Sequence, residues 1–325
     1  MRLKLVPEQT NFDFFRHSRL TLGLSGLLIV VSLVLFAVQG LNFGIDFRGG
    51  TMITAATETE PDVGDYRRTL GALDLGDFTV SRIYDPAAEI TGSVPNQVAI
   101  RIEQTDDDPA IQADVIVQVK AALSETFPGI RFLQTDSVGA KVSGELVQKG
   151  VLAIVLAVAA VLFYIWLRFE WQFSVGAVAA LVHDVILTIG VFSLVQLEFN
   201  LAIIAAILTI VGYSLNDTVV VFDRVRENLR RYKQTPLRDV LNMSINETLS
   251  RTMMTSVTTL LALGALYVLG GEVIRGFTFA MIWGVIVGTY SSVFVASAIL
   301  LRLDVKRDWD KEEPKSGTSF ADVDA

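Results

Sequence analysis

The chain has 325 residues, of which 51% are hydrophobic and 19% charged, with a formal net charge of −8 and a mean hydropathy of +0.48. That balance excludes an ordinary soluble globular chain, and the acidic excess disfavours nucleic acid as a partner. Cysteine is absent, which removes disulfides, thiolate catalysis and cysteine-ligated metal sites together.

In chain order, residues 1–19 carry four Lys and Arg and lead into a first apolar block, Leu20 to Val38. It has no A-x-A pattern at its end, so it reads as a retained anchor, a membrane helix at 20–38, and not as a cleaved leader. Residues 39–149 follow, with 9 basic and 17 acidic side chains, the surface of a solvated domain. Its pattern predicts strand Thr51–Ala56, helix Asp62–Leu73, strand Phe78–Ile83, strand Gln97–Glu103, helix Pro109–Phe127 and strand Ile130–Asp136. Pro61-Asp62 opens the first helix, Thr91 to Asn96 joins the middle strands, and Asp106-Asp107-Asp108-Pro109 places acids at the second helix N-terminus. The order is βαββαβ, so an α+β ferredoxin-like sandwich is expected. It contains no histidine and no glycine-rich phosphate loop, and the fold alone names no activity.

Five further apolar blocks occupy residues 150–301: Gly150 to Leu167, Phe173 to Val195, Leu201 to Phe222, Thr252 to Leu269 and Phe277 to Leu301. Each is long enough to cross a hydrocarbon core, which makes the chain an α-helical polytopic membrane protein with six transmembrane helices. With the N-terminus inside, the cytoplasmic pieces hold 17 Lys and Arg: four in 1–19, Arg168, seven in 223–251 and five in 302–325. The short outer loops hold only Arg275. This asymmetry puts both termini and the 223–251 loop in the cytoplasm and residues 39–149 outside.

Four ionisable side chains lie within or at the edge of these blocks: His183 and Asp184 in the third, Asp217 in the fourth, and Arg251 at the start of the fifth. A charge at the bilayer centre costs about 2.5–3.5 kcal/mol on insertion scales, so such groups face a bundle interior and mark ion or proton routes, or else act as helix-to-helix glue. With the amphipathic stretch Leu237–Leu249 laid along the interface, Asp217 and Arg251 meet at similar depth. Arg251, Thr255, Thr258, Thr259 and Ala262 form a narrow, largely polar stripe, and Tyr213, Ser214 and Asp217 share a face. His183 and Asp184 point about 100° apart, so they cannot both face one partner directly, and relay and structural uses stay open. In the last block Gly276, Ala280, Gly284, Gly288, Ser292 and Ala296 recur every four residues, a small-residue seam for close packing or sliding.

Two longer strings are diagnostic. Phe43-Gly44-Ile45-Asp46-Phe47-Arg48-Gly49-Gly50-Thr51 follows the first block, and Gly212-Tyr213-Ser214-Leu215-Asn216-Asp217-Thr218 through Phe222-Asp223-Arg224-Val225-Arg226-Glu227-Asn228 closes the fourth. With Leu181-Val182-His183-Asp184-Val185, Arg251 with Thr255-Ser256-Val257-Thr258-Thr259, and Gly270-Gly271-Glu272-Val273-Ile274-Arg275-Gly276-Phe277, the chain resembles the SecF family over most of residues 12–302. Leu215 stands where the family motif has isoleucine.

The resemblance implies a subunit of a bacterial inner-membrane export complex, one six-helix half of an RND-type pair. Its implied partners are SecD, the SecYEG channel and exported preproteins, with SecA and YajC as further candidates. Proton motive force drives the late stage of export, with protons as the coupling ion and no other cofactor, metal or ATPase activity. The family's proton-linked residues map to Asp217 and Arg251, with His183, Asp184, Asn216 and Thr255 as secondary candidates. Two other readings fit the same topology: half of an RND-type exporter of small molecules or lipids, and a structural translocase subunit that conducts nothing. An intramembrane protease does not fit, since HExxH and an intramembrane aspartate pair of the aspartyl-protease type are missing.

Overall fold

The structure, a computed structural model, describes residues 10–57, 60–73, 75–83, 96–103, 109–303 and 305. Helix α1 (Ser18–Gln39) buries only Ser25 and Ser32, leaving its apolar flanks outward. A single turn, α2 (Ile45–Arg48), then leads into strand β1 (Gly50–Thr57). Helix α3 (Val63–Gly71), whose first turn is capped by Asp62 accepting from Gly64 N at 2.7 Å, is followed by β2 (Phe78–Ile83), β3 (Asn96–Ile102), α4 (Pro109–Thr126) and β4 (Arg131–Val138).

Alternation at period two decides which way the sheet faces: Val98, Ile100 and Ile102 are buried, whereas Ala99 and Arg101 between them are half-buried. The strands pair antiparallel in the order β2-β3-β1-β4, with Ile53 opposite Ile100 on one side and Thr135 on the other. Tyr66 and Leu70 from α3 and Val119 and Leu123 from α4 close the core beneath them, and Tyr66 stacks on Phe127 at 4.1 Å. This is the expected ferredoxin-like arrangement. The turn read at 91–96 lies outside the described residues except for Asn96, as do Asp106 to Asp108 and residues 1–9.

Six helices are long and apolar enough to cross a membrane. After α1 these are α5 (Ala140–Arg168), α6 (Trp171–Val195), α7 (Leu201–Arg231), α8 (Leu237–Leu269), and a sixth made of α9 (Glu272–Tyr290), a π-helical turn at Ser291–Ala296 and α10 (Ser297–Arg302). Helix α8 corrects the sequence reading. Leu237–Leu249 does not lie apart along an interface but continues into the apolar half as one 33-residue helix, roughly 50 Å at 1.5 Å per residue. No proline or glycine interrupts the segment before Gly264, and Val240, Leu241 and Ile245 are buried in one cluster with Val225 and Leu229 of α7. The apolar face of the stretch is therefore covered by a neighbouring helix, and a separate membrane-surface position has no driving force.

The small-residue seam packs on α7. A Cβ at Gly284 would overlap the Ile210 side chain, and one at Gly288 would lie 3.0 Å from Ser214 Cβ. Gly284→Val is expected to cost about 1–3 kcal/mol through overpacking, read as a lower thermal midpoint of the detergent-solubilised chain. An unchanged midpoint would show that the seam is loose. Two apolar clusters result, one around Phe192, Phe199, Ile203 and Ile210 at the end nearer the sheet, and one around Phe173, Phe222 and Ile245 at the other end. The polar side chains of α6, α7 and the π turn fall between them in sequence and form a layer across the middle of the bundle.

Candidate functional site

The glycine motif after α1 is a joint. Gly49 and Gly50 adopt φ of 77° and 115°, conformations that L side chains avoid, and a Cβ at Gly50 would overlap the Ile102 carbonyl oxygen. Around them the sheet domain is clasped to the α6–α7 loop. Gly44 N donates to Phe199 O at 2.9 Å, and Phe199 N donates to Asn42 O at 2.8 Å. Asp46 Oδ2 accepts from Leu201 N at 2.9 Å and so caps α7, while Arg101 of β3 pairs with Glu198 at 2.6 Å. Phe43, Phe47 and Phe199 pack edge and tilt against one another within about 6 Å. Gly50→Val is expected to strain this joint by about 1–3 kcal/mol, visible as faster limited proteolysis between α1 and β1; wild-type resistance would count against the joint.

In the mid-bundle layer the sequence candidates part company. Asp184, 1% exposed, is a hub. Its Oδ1 meets His183 Nδ1 at 2.9 Å, and its Oδ2 accepts from Ser214 Oγ at 2.6 Å and Ser291 Oγ at 2.8 Å. Neighbouring positions on α6 thus do converge, because the imidazole turns sideways onto the carboxylate and the two serines arrive from α7 and the π turn. Thr218 and Ser292 extend the network with a hydroxyl pair at 2.8 Å. The π turn matters here: one extra residue per turn brings both Ser291 and Ser292 to the buried side, where both are fully buried. His183 in turn lies 6.2 Å from the Tyr290 ring, whose hydroxyl donates to Thr21 O of α1 at 3.0 Å. The convergence of Ser214, Ser291, Ser292 and Thr218 around Asp184 has no local sequence signal beyond the adjacent serines Ser291 and Ser292 in the last apolar block.

Asp217 is 3% exposed and its Oδ2 has no hydrogen-bond partner. The sequence reading lets it meet Arg251; among the described residues no ion pair within 4 Å joins them, so Arg251, which is exposed, acts on the carboxylate only at longer range. The cause is the facing of α8, which turns Thr252 and Ser256 inward, with Ser256 bonded to Thr289 of α9 at 2.7 Å. Arg251 lies one residue, about 100°, around the helix. Thr255 shares that outward face and donates its hydroxyl to its own helix, at 2.9 Å to Thr252 O. Tyr213 reaches Thr259 at 3.4 Å, and Asn216 is exposed. Among the described residues the structure therefore holds a buried, incompletely satisfied acid in Asp217 and an exposed arginine in Arg251.

Residues 34–60 match the SecD/SecF GG motif, and residues 118–306 match the family described as protein export membrane protein SecD/SecF, C-terminal. The chain is 53% identical over 324 residues to the protein translocase subunit SecF of Cereibacter sphaeroides, covering 100% of this chain and 99% of the relative. The chain belongs to the SecD/SecF family of protein-export membrane proteins, on its SecF side. A second SecF, from Rhodobacter capsulatus, is 51% identical over 319 residues, with 96% and 95% covered. Among solved structures, SecDF from Thermus thermophilus, described as a translocon-associated membrane protein, superimposes with a TM-score of 0.82 at 33% identity over 94% of this chain. SecDF in a super-membrane-facing form matches at 0.67 and 34% identity over 93% of this chain. The chain spans 40% of each of those longer SecDF chains.

Proposed function

We propose that this SecF-type chain is a subunit of a SecDF export complex in the bacterial inner membrane, which uses proton motive force to promote preprotein passage through and release from the SecYEG channel. Its termini lie in the cytoplasm and the sheet domain in the periplasm, following the distribution of basic residues. The relatives are named as protein translocase subunits, which supports a mechanical role without ATP hydrolysis by this chain. Protons serve as the coupling ion and no other cofactor is required.

The observation that carries the proton reading is the pair left open: Asp217 buried with a free Oδ2, and Arg251 outward on α8. A cation facing lipid at that depth is costly, so the face bearing Arg251 and Thr255 is suited to a protein neighbour, the corresponding half supplied by SecD. A proton on Asp217 removes a charge from the mid-bundle layer and changes which contacts α7 favours. Sixteen residues before Asp217, roughly 24 Å along the helix, Leu201 is held by Asp46 in the joint. A shift of α7 therefore reaches the sheet domain directly. The unequal match to two SecDF forms supports a family whose parts take more than one arrangement.

The test is proton-driven preprotein translocation in inverted vesicles lacking this chain and vesicles resupplied with it. Restoration of the proton-dependent stage supports the reading; equal activity in both would overturn it.

A further inference from the structure

The segment before α1 is bonded to the far end of α8 in an unusual way. Asn246 holds the backbone of one residue at both ends: its Oδ1 accepts from Phe12 N at 2.9 Å and its Nδ2 donates to Phe12 O at 2.8 Å. One turn earlier, Asn242 Oδ1 accepts from Phe14 N at 3.0 Å and its Nδ2 donates to Asp13 Oδ1 at 3.0 Å. A further turn earlier, Arg238 donates to Asp13 Oδ2 at 2.7 Å. The spacing of four puts 238, 242 and 246 on one face of α8, so three side chains in a row hold the segment, Asn246 by the Phe12 backbone, Asn242 by Phe14 N and the Asp13 carboxylate, and Arg238 by that same carboxylate. Phe15 is buried in one apolar cluster with Val240, Leu241 and Ile245, and Phe14 lies 5.9 Å from Phe294 in the π turn.

This segment runs without a break into α1 at Ser18, and α1 runs to the joint before β1. At its other end the clamp stops five residues short of Arg251, roughly 7.5 Å along α8. We propose that residues 10–15 are a strap through which Asn242 and Asn246 tie the Arg251-bearing helix to α1, so that movement of α8 is passed along α1 to the glycine joint and the sheet domain. The inference rests on the proton-coupling reading above. Asn242 and Asn246 are positioning residues in it. The link stays closed across neutral pH. The Asn242 amide, with Arg238 beside it, holds the Asp13 carboxyl below its ordinary 3.8, so its contribution is present above that value and is lost only as pH falls through the lowered one. The strap is therefore a fixed connection and not a pH latch.

The chain contains no cysteine, so a disulfide can be placed here without competitors in the same chain. In inverted vesicles, Asn242→Ala/Asn246→Ala is expected to slow the proton-driven stage of translocation at least about fivefold, with complex abundance and the ATP-driven stage unchanged. Oxidised Phe12→Cys/Asn246→Cys is expected to run at the wild-type rate, and to fall on reduction to a rate between that and the double-alanine rate, since Asn242 still holds its part of the segment. Wild-type proton-driven rates in the double-alanine protein, or no recovery once the disulfide has formed, would overturn the strap. Asp217→Asn in the same vesicles separates the two levels: if it is impaired while the strap variants are not, the strap alone fails, and if it is unimpaired the proton reading fails with it.

Discussion

Vesicles carrying Asp217→Asn should retain ATP-driven insertion of preprotein yet lose the proton-driven stage by about tenfold or more, at normal abundance of the complex. Asparagine keeps the shape of the side chain and removes its capacity to alternate between charged and neutral forms. Because Oδ2 of Asp217 makes no hydrogen bond among the described residues, the substitution breaks no such contact there, and a large functional loss would come from the missing titration and not from unfolding. Arg251→Met should give a similar loss by removing the outward charge, since among the described residues Arg251 makes no ion pair within 4 Å and acts on Asp217 only at longer range. Wild-type rates in both variants would make this subunit a scaffold and move the search for protons to its neighbour.

Asp184 should behave in the opposite way. Asp184→Leu strands the Ser214 and Ser291 hydroxyls and the His183 imidazole, all buried, and is expected to cost about 3–5 kcal/mol, the range for removing one member of a buried charged network. Asp184→Asn keeps one carbonyl acceptor for these donors and is expected to cost less, about 1–3 kcal/mol. Thermal unfolding of the detergent-solubilised chain checks both, and the order leucine below asparagine below wild type is the expected result. Equal midpoints for the three would show that the hub does not hold the bundle together. The contrast between the two aspartates follows from their surroundings: one is satisfied by hydroxyls from two other helical segments, the other is left with a free oxygen.

Much of this architecture is legible in the residues. The six apolar blocks, the alternation in Val98, Ile100 and Ile102, and the fourfold seam ending at Ala296 are local periodicities, and local periodicity survives without knowledge of the fold. What escaped depends on which face of an element meets which neighbour. On α8, Arg251 with Thr255 and Thr252 with Ser256 are two equally polar stripes, and only packing against α9 decides that the second turns inward. Ser214 and Ser291 are separated by most of the bundle's second half in sequence, so their meeting at Asp184 has no local signal. The π turn has none either beyond a pair of serines. Asn242 and Asn246 sat in plain view at helical spacing, but the segment they hold lies more than two hundred residues earlier.

Both links argued above converge on residues 40–50: α7 through Asp46, and α8 through the strap and α1. The decisive measurement is therefore a distance across that joint. Spin labels at Val117→Cys on α4 and Leu269→Cys at the end of α8, both strongly exposed positions in a chain without native cysteine, report how the sheet domain sits relative to the bundle. Measured in the assembled complex, the distance distribution should shift when a proton motive force is imposed on wild type and stay fixed in Asp217→Asn. A shift of equal size in Asp217→Asn, or none in wild type, would contradict the coupling of that carboxylate to movement of the domain.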